Sequence, residues 1–502
     1  MSHWKYKRLF EILPGAIAWL ILLMPIVLAI WAAKFLAIFL MIFFTFWLIR
    51  TFFMSYRLIV GYRKYKEDVG TNWLHKLENI TEKTYLDWKG LYHLVIVPTY
   101  KEDIMILESS VKSVINSNYA NDKIIYVLAT EERDFERATE YGKILYQKYK
   151  NELKDYIVIM HPKDIPGEII GKGPNITHAA KQLLPYFQKN NIPFDRVIVT
   201  TMDADNIFDK NYLPCLSYKY ATDPDPIHKS FQPLPMYFNN IWDVPMAMRL
   251  IAMGSSFWQL IVATRPSRLR NFSSHAQSLE ALVRVDFWST TSIVEDGHQF
   301  WRTYYKFNGD HEVIPMYTPI YQDAVLAGSL KLTLKEQYLQ KRRWSWGVSD
   351  IPYVMEHTFK DKKIHWIDRW SNALILWESH LSWSTASIVL ATSSWYPLIL
   401  NPAFQKSVMA YYFPLVYSRI FAIAWIGMMI TLTISTLLVP PRRGKKPGWR
   451  IALDWILTPI MLPITNILFS SIPAIESQTR LLLGKYLEFR VTVKSTKRSG
   501  TN

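Results

Sequence analysis

Residues 196–206 read Arg-Val-Ile-Val-Thr-Thr-Met-Asp-Ala-Asp-Asn, and this stretch decides the fold that the sequence predicts. The apolar run 197–199 is β-branched, which is typical of a buried strand. Side chains alternate along an extended chain, so Asp203 and Asp205 point to the same side. Two carboxylates at a strand end suit a hard divalent cation, which in turn suits a diphosphate. Taken alone, an Asp-x-Asp pair more often closes a turn.

Three more strands are predicted upstream of this stretch, and helices separate them. The strands cover 91–97, 123–128 and 157–160, and the helices cover 104–116, a segment ending at Tyr149, and 175–189. Strands that alternate with helices predict an α/β domain with a mainly parallel sheet, whose ligands bind at the carboxyl ends of the strands. The polar clusters at 98–103, 129–134 and 203–206 all follow predicted strands.

Two apolar segments near the N-terminus predict a transmembrane hairpin in residues 1–55. Half of the chain is hydrophobic, and the segments 13–31 and 35–53 are each close to the ~20 residues that cross a bilayer. Basic residues favour the cytoplasmic side. They flank both ends of the hairpin, which predicts that both ends face the cytoplasm; they are Lys5, Lys7, Arg8, Arg50, Arg57, Arg63, Lys64 and Lys66.

The remainder divides into a cytoplasmic domain and a second membrane region. Residues 56–365 contain no apolar run of spanning length, whereas 366–475 contain apolar stretches at 373–400, 409–439 and 451–472. The loop 442–446 and the tail 476–502 are basic. Pro459 and Pro463 allow the last stretch to cross once or to re-enter, so both positions of the tail stay open.

The predicted membrane topology explains part of the formal charge of +16. Most of the basic residues lie beside the predicted spans, where anionic lipids of the inner leaflet attract them. This distribution argues against a nucleic-acid partner. Cys215 is the single cysteine, which excludes an intramolecular disulfide and fits a reducing cytoplasm.

Three further motifs are candidates for chemistry, and each also has a structural interpretation. The glycine-containing loop 167–175 runs into a helix start and offers an anion cradle with Lys172 as its charge. Glu295 and Asp296 form an acidic pair, which commonly stabilises a helix N-terminus. The sequence Gln-Lys-Arg-Arg-Trp-Ser-Trp at 340–346 predicts an interfacial helix near 335–350.

Four motifs occur in a characteristic order: Pro-Thr-Tyr-Lys-Glu at 98–102, Asp-Ala-Asp at 203–205, Glu-Asp at 295–296, and Gln-x-x-Arg-Trp at 340–344. Within an α/β domain between membrane helices, this order resembles the membrane-embedded family 2 glycosyltransferases, the group that contains cellulose, hyaluronan and chitin synthases. The resemblance covers about 90 to 350. It implies a Rossmann-like domain of the GT-A type and inverting sugar transfer from a nucleotide-sugar donor.

The resemblance also implies roles for the donor side. Thr99, Tyr100 and Glu102 would contact the nucleotide, with Lys172 nearby. Asp203 would lie by the diphosphate and sugar, and Asp205 would ligate Mg2+ or Mn2+.

On the acceptor side, Asp296, with Glu295 beside it in the catalytic pair, would be the general base. Gln340, Arg343 and Trp344 would form the surface over the site, with Arg343 on the diphosphate and Trp344 stacked on the acceptor.

The chain departs from the family pattern in two places. The second strand ends in Ala-Thr-Glu-Glu at 129–132 rather than Asp-Asp-Gly, so Glu131 is the substitute for base recognition and UDP rather than GDP is only an expectation. Ser-Ser-His-Ala at 273–276 replaces a Gly-Thr-Asn type of loop. His275 there has two interpretations, an acceptor contact or a structural histidine, and His298 is a further candidate metal ligand.

Three functions are consistent with these observations. The first is a synthase that transfers sugar from a nucleotide-sugar donor to a growing β-linked polysaccharide and passes this product through its own membrane helices. The second is a glycolipid synthase, resembling ceramide glucosyltransferase, that adds one sugar to a lipid acceptor. The third is a membrane scaffold or transporter whose α/β domain is inactive; four intact charged site residues argue against it, namely Asp203, Asp205, Asp296 and Arg343.

Overall fold

The computed structural model describes residues 4–440 and 448–490. The basic loop at 442–446 and the tail beyond 490 lie outside the described residues. The helices are α1 Lys7–Trp31, α2 Ala33–Gly70, α3 Trp73–Glu78, α4 Ile104–Ile115, α5 Phe135–Tyr149, α6 Lys172–Gln182, α7 Leu184–Lys189, α8 Tyr212–Thr222, α9 Met246–Ala263, α10 Leu279–Arg284, α11 Glu295–Lys306, α12 Leu330–Ser345, α13 Asp350–Lys360, α14 Trp366–Thr392, α15 Tyr396–Leu400, α16 Pro402–Gln405, α17 Val408–Leu438, α18 Gly448–Asn466 and α19 Ile472–Leu482. The strands are β1 Tyr92–Pro98, β2 Ile124–Glu131, β3 Asp155–His161, β4 Val197–Thr201, β5 Ile207–Phe208, β6 Lys229–Met236, β7 His275–Ser278 and β8 Glu312–Tyr321.

These elements form two compact units. Among the described residues, the helical unit comprises 4–62, 244–257, 327–440 and 448–487, and the sheet unit comprises 63–243, 258–326 and 488–490. Compactness is a different criterion from membrane or cytoplasmic location. The domain boundaries predicted at residues 55, 365 and 475 therefore stay predictions.

The sheet unit is built on one eight-stranded sheet with the order β3-β2-β1-β4-β7-β6-β8-β5. Strands β1 to β4 are mutually parallel, and β6 and β8 run in the same direction. Strands β7 and β5 run against their neighbours. The sheet is therefore mixed rather than mainly parallel in its pairings. The antiparallel strands escape sequence analysis because β7 is polar and β5 has two residues.

Apolar side chains alternate between the two faces of this sheet and build a core on each. Val95 and Val97 of β1 join one cluster, together with residues of α4 and α8. Leu94 and Ile96 join the other, which includes residues of α6 and α10. This period of two is what an extended strand buried on both faces requires. It explains why β1 to β4 were predicted within a few residues of their bounds.

The helical unit carries most of the helices that are long and apolar enough to cross a membrane. Among the described residues there are five by length and composition, namely Lys7–Trp31, Ala33–Gly70, Met246–Ala263, Val408–Leu438 and Ile456–Leu482. Helix α9 is the one that sequence analysis missed, because Arg249 and Gln259 interrupt its apolar residues. The predicted span 373–400 is not one helix, since α14 ends at Thr392 and α15 begins at Tyr396.

The last apolar stretch does not fold back on itself. Helical backbone runs from α18 through a π-helical turn, Ile467–Ser471, into α19, with Pro459 and Pro463 inside α18. A re-entrant hairpin within 451–472 is therefore not formed. In the same unit, the carboxylate of Glu378 on α14 accepts a hydrogen bond from Arg50 on α2.

Candidate active site

The segments that carry the predicted polar clusters lie at one edge of the sheet, which we call the carboxyl edge. It comprises the C-terminal ends of the six strands that share a direction and the start of β7, where His275 pairs with Thr201 at the end of β4. Val97 of β1 pairs with Leu128 of β2, so the segments that follow these strands emerge side by side. The polar clusters at 98–103, 129–134 and 203–206 therefore share this edge, as the sequence predicted.

Lys172 and Asp203 form the centre of the site. The ammonium nitrogen of Lys172 lies 2.6 Å from Asp203 Oδ1 and 3.6 Å from Glu295 Oε1. Burial would lower the pKa of Lys172, but the charges of Asp203 and Glu295 outweigh it and raise that pKa. Lys172 therefore stays charged, and its charge stabilises the two carboxylates that surround it.

The position of Lys172 on α6 is set by a close approach of the backbone. Lys172 is the first residue of α6, where the helix dipole disfavours a cation, so the carboxylates have to stabilise it. At the next residue, Gly173, a Cβ atom would lie 2.3 Å from the carbonyl oxygen of Ser289 and 3.2 Å from Cβ of Glu295. Only glycine fits there, and this contact brings α6 against the segment that leads to Glu295.

The acidic pair lies in the first turn of α11. Asp296 Oδ2 accepts a hydrogen bond from the backbone N–H of Ser273 at 2.7 Å, and Oδ1 accepts one from Gly297 N–H at 2.8 Å. Glu295 is buried, and burial raises its pKa while the charge of Lys172 opposes the rise. The pair therefore lies at a helix start, as one of its two interpretations has it, and the catalytic interpretation stays a prediction.

Ser273 is a site residue that sequence reasoning missed. Its hydroxyl donates to Asp203 Oδ2 at 2.6 Å and accepts from Gln322 Nε2 at 2.8 Å. Its φ of 52° lies in the left-handed region, which costs a non-glycine residue ~1–2 kcal/mol. The loop was noticed because it departs from the family pattern, but nothing in the sequence singles out this serine.

Glu102 organises the turn after β1. Its Oε2 accepts hydrogen bonds from Thr99 Oγ1 at 2.8 Å and from the N–H of Tyr100. Burial, with a smaller contribution from the charge of Asp205, raises the pKa of Glu102 to about 7, and the hydrogen bonds from Thr99 and Tyr100 oppose this rise. The structure thus brings Thr99, Tyr100 and Glu102 together and places Asp205 within electrostatic reach of them.

Arg133 is a second missed residue. Its guanidinium lies over the ring of Tyr100, 4.4 Å from the ring centre, and its Nε donates to Glu131 Oε2 at 2.7 Å. Burial raises the pKa of Glu131, and the hydrogen bond from Arg133 opposes the rise. The carboxylate of Glu131 is therefore already bound by a neighbour, and the face of Tyr100 is occupied by a cation.

The structure describes the surroundings of His275, whereas the metal role of His298 stays a prediction. His275 is buried in β7, its Nε2 accepts from the indole N–H of Trp288 at 3.3 Å, and burial lowers its pKa to about 3. This environment favours the structural interpretation. His298 lies in the first turn of α11, and its N–H donates to Val294 O.

Gln340, Arg343 and Trp344 lie on α12 in the helical unit. Within that unit Gln340 accepts a hydrogen bond from Gln337 at 3.3 Å, and the Lys341 ammonium lies 4.2 Å from the ring centre of Trp344. Lys341 also donates to Ser255 Oγ at 2.8 Å, and burial lowers its pKa to about 7. The proposed contacts of Gln340, Arg343 and Trp344 with substrates stay predictions.

The carboxyl edge has the donor chemistry that a divalent cation needs. Asp203 and Asp205 offer carboxylate oxygens, which are the ligands that hard divalent cations take in proteins. The two carboxylate oxygens of Asp203 accept hydrogen bonds from Lys172 and Ser273. Asp203 and Asp205 therefore fit Mg2+ or Mn2+ by ligand type.

A different set of metal-ligating side chains lies at the opposite edge of the sheet. Among the described residues, Asp225, His228 and Asp310 are the one set of three whose ligand atoms lie within 4.8 Å of one another. They precede β6 and β8, so they lie at the amino ends of these strands. His228 Nδ1 already contacts both carboxylates, at 2.9 Å and 2.8 Å, and the set does not include His298.

Comparisons with known proteins find glycosyltransferases among the similar structures. A mannosyltransferase from Pyrobaculum calidifontis in complex with GDP-Man and Mn2+ shares 13% identity over 86% of this chain and 100% of its own, with a TM-score of 0.46. Residues 1–349 of TarS from S. aureus share 12% identity over 80% and 94%, with a TM-score of 0.35. The same TarS segment in complex with UDP-GlcNAc shares 11% identity over 80% and 94%, with a TM-score of 0.33.

No family model and no curated protein matches the chain. Structural likenesses of the size found, at 11 to 13% identity, do not assign a fold family or an activity.

Proposed function

We propose that the chain is a membrane-bound, inverting glycosyltransferase with a Rossmann-like GT-A type domain, similar to family 2. One observation carries the proposal: a buried lysine, Lys172, joins Asp203 and Glu295, and Asp296 lies one residue further. A cation among carboxylates at a strand edge provides charge for a diphosphate and a base for an acceptor hydroxyl. A scaffold without activity needs neither the charge for a diphosphate nor the base for a hydroxyl.

In the proposed reaction Asp296 is the general base. The acceptor hydroxyl attacks the anomeric carbon, its proton passes to the Asp296 carboxylate, and the bond between that carbon and the diphosphate oxygen breaks with the electron pair leaving on the diphosphate. Proton transfer of this kind contributes ~10²–10⁴ in rate. A single displacement inverts the anomeric centre, which gives a β-linkage from an α-linked donor.

Lys172 and Arg343 are proposed to hold the negative charge of the nucleoside diphosphate. Asp203 and Asp205 would hold Mg2+ or Mn2+, which, when bound, neutralises charge on that leaving group. Thr99, Tyr100 and Glu102 form the nucleotide side, with Glu131 replacing the Asp of the family pattern. Arg133 covers Tyr100 and must move or share that face when a base binds.

The donor and the product are separate questions. GDP-Man and UDP-GlcNAc are donors named for the similar structures, so both are the first donors to try. A polysaccharide and a single-sugar glycolipid are both proposed as products. The carboxylate of Glu378 on α14 accepts a hydrogen bond from Arg50, and this contact favours neither product.

The catalytic domain is proposed to face the cytoplasm, where nucleotide sugars are made. The basic residues around the first hairpin support this orientation because they favour the inner side of the membrane. Reporter fusions at both ends of the hairpin test the orientation; a periplasmic or luminal signal at residue 56 would contradict it.

Labelled-sugar transfer tests the activity. Detergent-solubilised full chain is supplied with GDP-Man, UDP-GlcNAc or another labelled donor, with Mn2+ or Mg2+ and membrane lipids. We expect transfer that Asp296→Asn abolishes and that Asp310→Asn, a carboxylate change at the opposite edge of the sheet, leaves intact. Organic-extractable product indicates a glycolipid and high-mass product a polymer. No transfer or hydrolysis with any donor would reject the proposal.

A further inference from the structure

We propose that Ser273 is a positioning residue that ties the donor-side carboxylate, Asp203, to the base, Asp296. The inference rests on the proposed function and deepens it. Each polar group of Ser273 contacts a different charged residue: the hydroxyl donates to Asp203 Oδ2 at 2.6 Å, the N–H donates to Asp296 Oδ2 at 2.7 Å, and the carbonyl accepts from Lys172 at 3.1 Å.

The direction of the hydroxyl proton follows from Gln322. Its amide nitrogen lies 2.8 Å from Ser273 Oγ, and an amide nitrogen donates but does not accept. The hydroxyl therefore accepts from Gln322 and points its only hydrogen at Asp203. Gln322 is buried directly after β8. Its backbone N–H donates to Met236 O, so the residue that orients the serine hydroxyl is itself held in place.

The backbone of Ser273 supports the same role. A φ of 52° is uncommon for a residue with a side chain, and such conformations persist where the surroundings hold them. Here the left-handed turn is what lets one residue aim its N–H at Asp296 and its hydroxyl at Asp203. A serine that served only to fill space would have no need of it.

Loss of the hydroxyl should impair alignment more than binding. Asp203 would keep its contact with Lys172, and Asp296 would keep the N–H groups of Gly297 and residue 273. Both carboxylates would stay in the site, but the donor and the base would no longer share a bridge. Misplacement by about 1 Å can cost ~10²-fold in a reaction that joins two substrates.

The test compares transfer with donor hydrolysis in Ser273→Ala and Ser273→Gly. Water is small and unconstrained, so its attack depends less on the bridge than attack by the acceptor does. For both variants we expect kcat for transfer to fall by about tenfold or more, while donor KM and hydrolysis change by less than about twofold. Ser273→Gly also relieves the backbone strain, so it folds even if Ser273→Ala does not.

Asn308→Gly is the matched control. Asn308 is exposed and has a φ of 54°, so this change relieves the same kind of strain away from the site. We expect its ratio of transfer to hydrolysis to equal that of the unchanged protein. Gln322→Leu should lower the ratio by about two- to threefold, because the serine hydroxyl stays but loses its orientation.

Two results would overturn the inference. One is a ratio of transfer to hydrolysis that is unchanged in both Ser273 variants. The other is a parallel loss of transfer and hydrolysis that follows the folded fraction, which indicates a structural serine. Failure of the proposed function is a separate result, because the unchanged protein would then neither transfer nor hydrolyse any donor.

Discussion

The two edges of one sheet carry similar residues in opposite environments. At the carboxyl edge Lys172 has a side chain that is 11% exposed and contacts Asp203 and Glu295. At the amino edge His228 contacts Asp225 and Asp310, whose side chains are 48% and 68% exposed. The residue types do not distinguish a site from a surface ion pair.

Burial is the difference that matters. Exposed charge pairs are screened by water and contribute little, whereas buried charges without partners are strongly unfavourable. The carboxyl edge also has Ser273, whose φ lies in the left-handed region, and Gly173, where a Cβ atom would clash with a backbone carbonyl oxygen. Such features indicate that the arrangement is imposed by the fold, and the following experiments test how far the two edges differ.

The largest difference should appear when one lysine is removed from each edge. Lys172→Met leaves Asp203 and Glu295 facing each other without a cation, so we expect transfer to fall by ~10² or more and the free energy of unfolding to fall by ~3–5 kcal/mol. Lys229→Met, which breaks the 3.3 Å pair with Glu312 near the amino edge, is the control. Transfer assays and urea unfolding measure both; equal effects would remove the distinction.

Packing at the carboxyl edge gives the next largest effect. Gly173→Ala places a Cβ atom against Ser289 O, and we expect a loss of ~1–3 kcal/mol in the free energy of unfolding. Gly254→Ala in α9 has no heavy atom within 4 Å and should not destabilise the protein. Thermal unfolding of both variants measures this, and a Gly173→Ala protein as stable as the control would show that the contact gives way.

A pH dependence should distinguish Glu102 from an exposed carboxylate. Its pKa is raised from 4.5 to about 7, so the folded protein holds a proton that the unfolded chain releases. The contribution is fully present below about pH 4.5 and is lost as the pH rises through about 7, a change on the order of 3 kcal/mol.

Glu102→Gln should remove this dependence, because glutamine does not ionise and keeps an oxygen for Thr99 and Tyr100. Glu140→Gln, on the exposed side of α5, should leave it unchanged. Urea unfolding between about pH 4 and about pH 8 measures the slope. A slope that persists in Glu102→Gln would place the proton elsewhere.

The amino edge should give the smallest effect. We expect His228→Ala to change the free energy of unfolding by less than ~1 kcal/mol and to leave transfer unchanged, because the pairs are exposed. Unfolding is measured with and without Mn2+. Stabilisation by Mn2+ that His228→Ala abolishes would show that this edge binds the cation too.

The strands that the sequence predicted are those whose pattern of apolar residues can be read within the strand itself. Strands β1 to β4 have apolar runs with helices between them, so their positions in the chain and their polar ends follow from periodicity and chain direction. The roles of Asp203, Asp205 and Asp296 stay predictions from the order of motifs. The role of Lys172 stays a prediction from its place as the charge in the glycine-containing loop 167–175.

The missed features depend on contacts between distant segments. Strand β7 reads His-Ala-Gln-Ser, and only its pairing with β4 and β6 makes it a strand. Ser273 matters because of a positive φ and three partners that lie 70, 23 and 101 residues away. Arg133 matters because it lies over Tyr100. Periodicity cannot reveal such partners.

The order of the strands has a consequence for synthesis of the protein. Strand β2 follows β1 by about 25 residues, but β4, the other neighbour of β1, begins about 100 residues after β1 ends. At ~5–20 residues per second the ribosome leaves this edge of β1 unpaired for between about 5 and about 20 seconds. During this interval the edge can pair with wrong partners, and a chaperone that binds nascent chains would protect it.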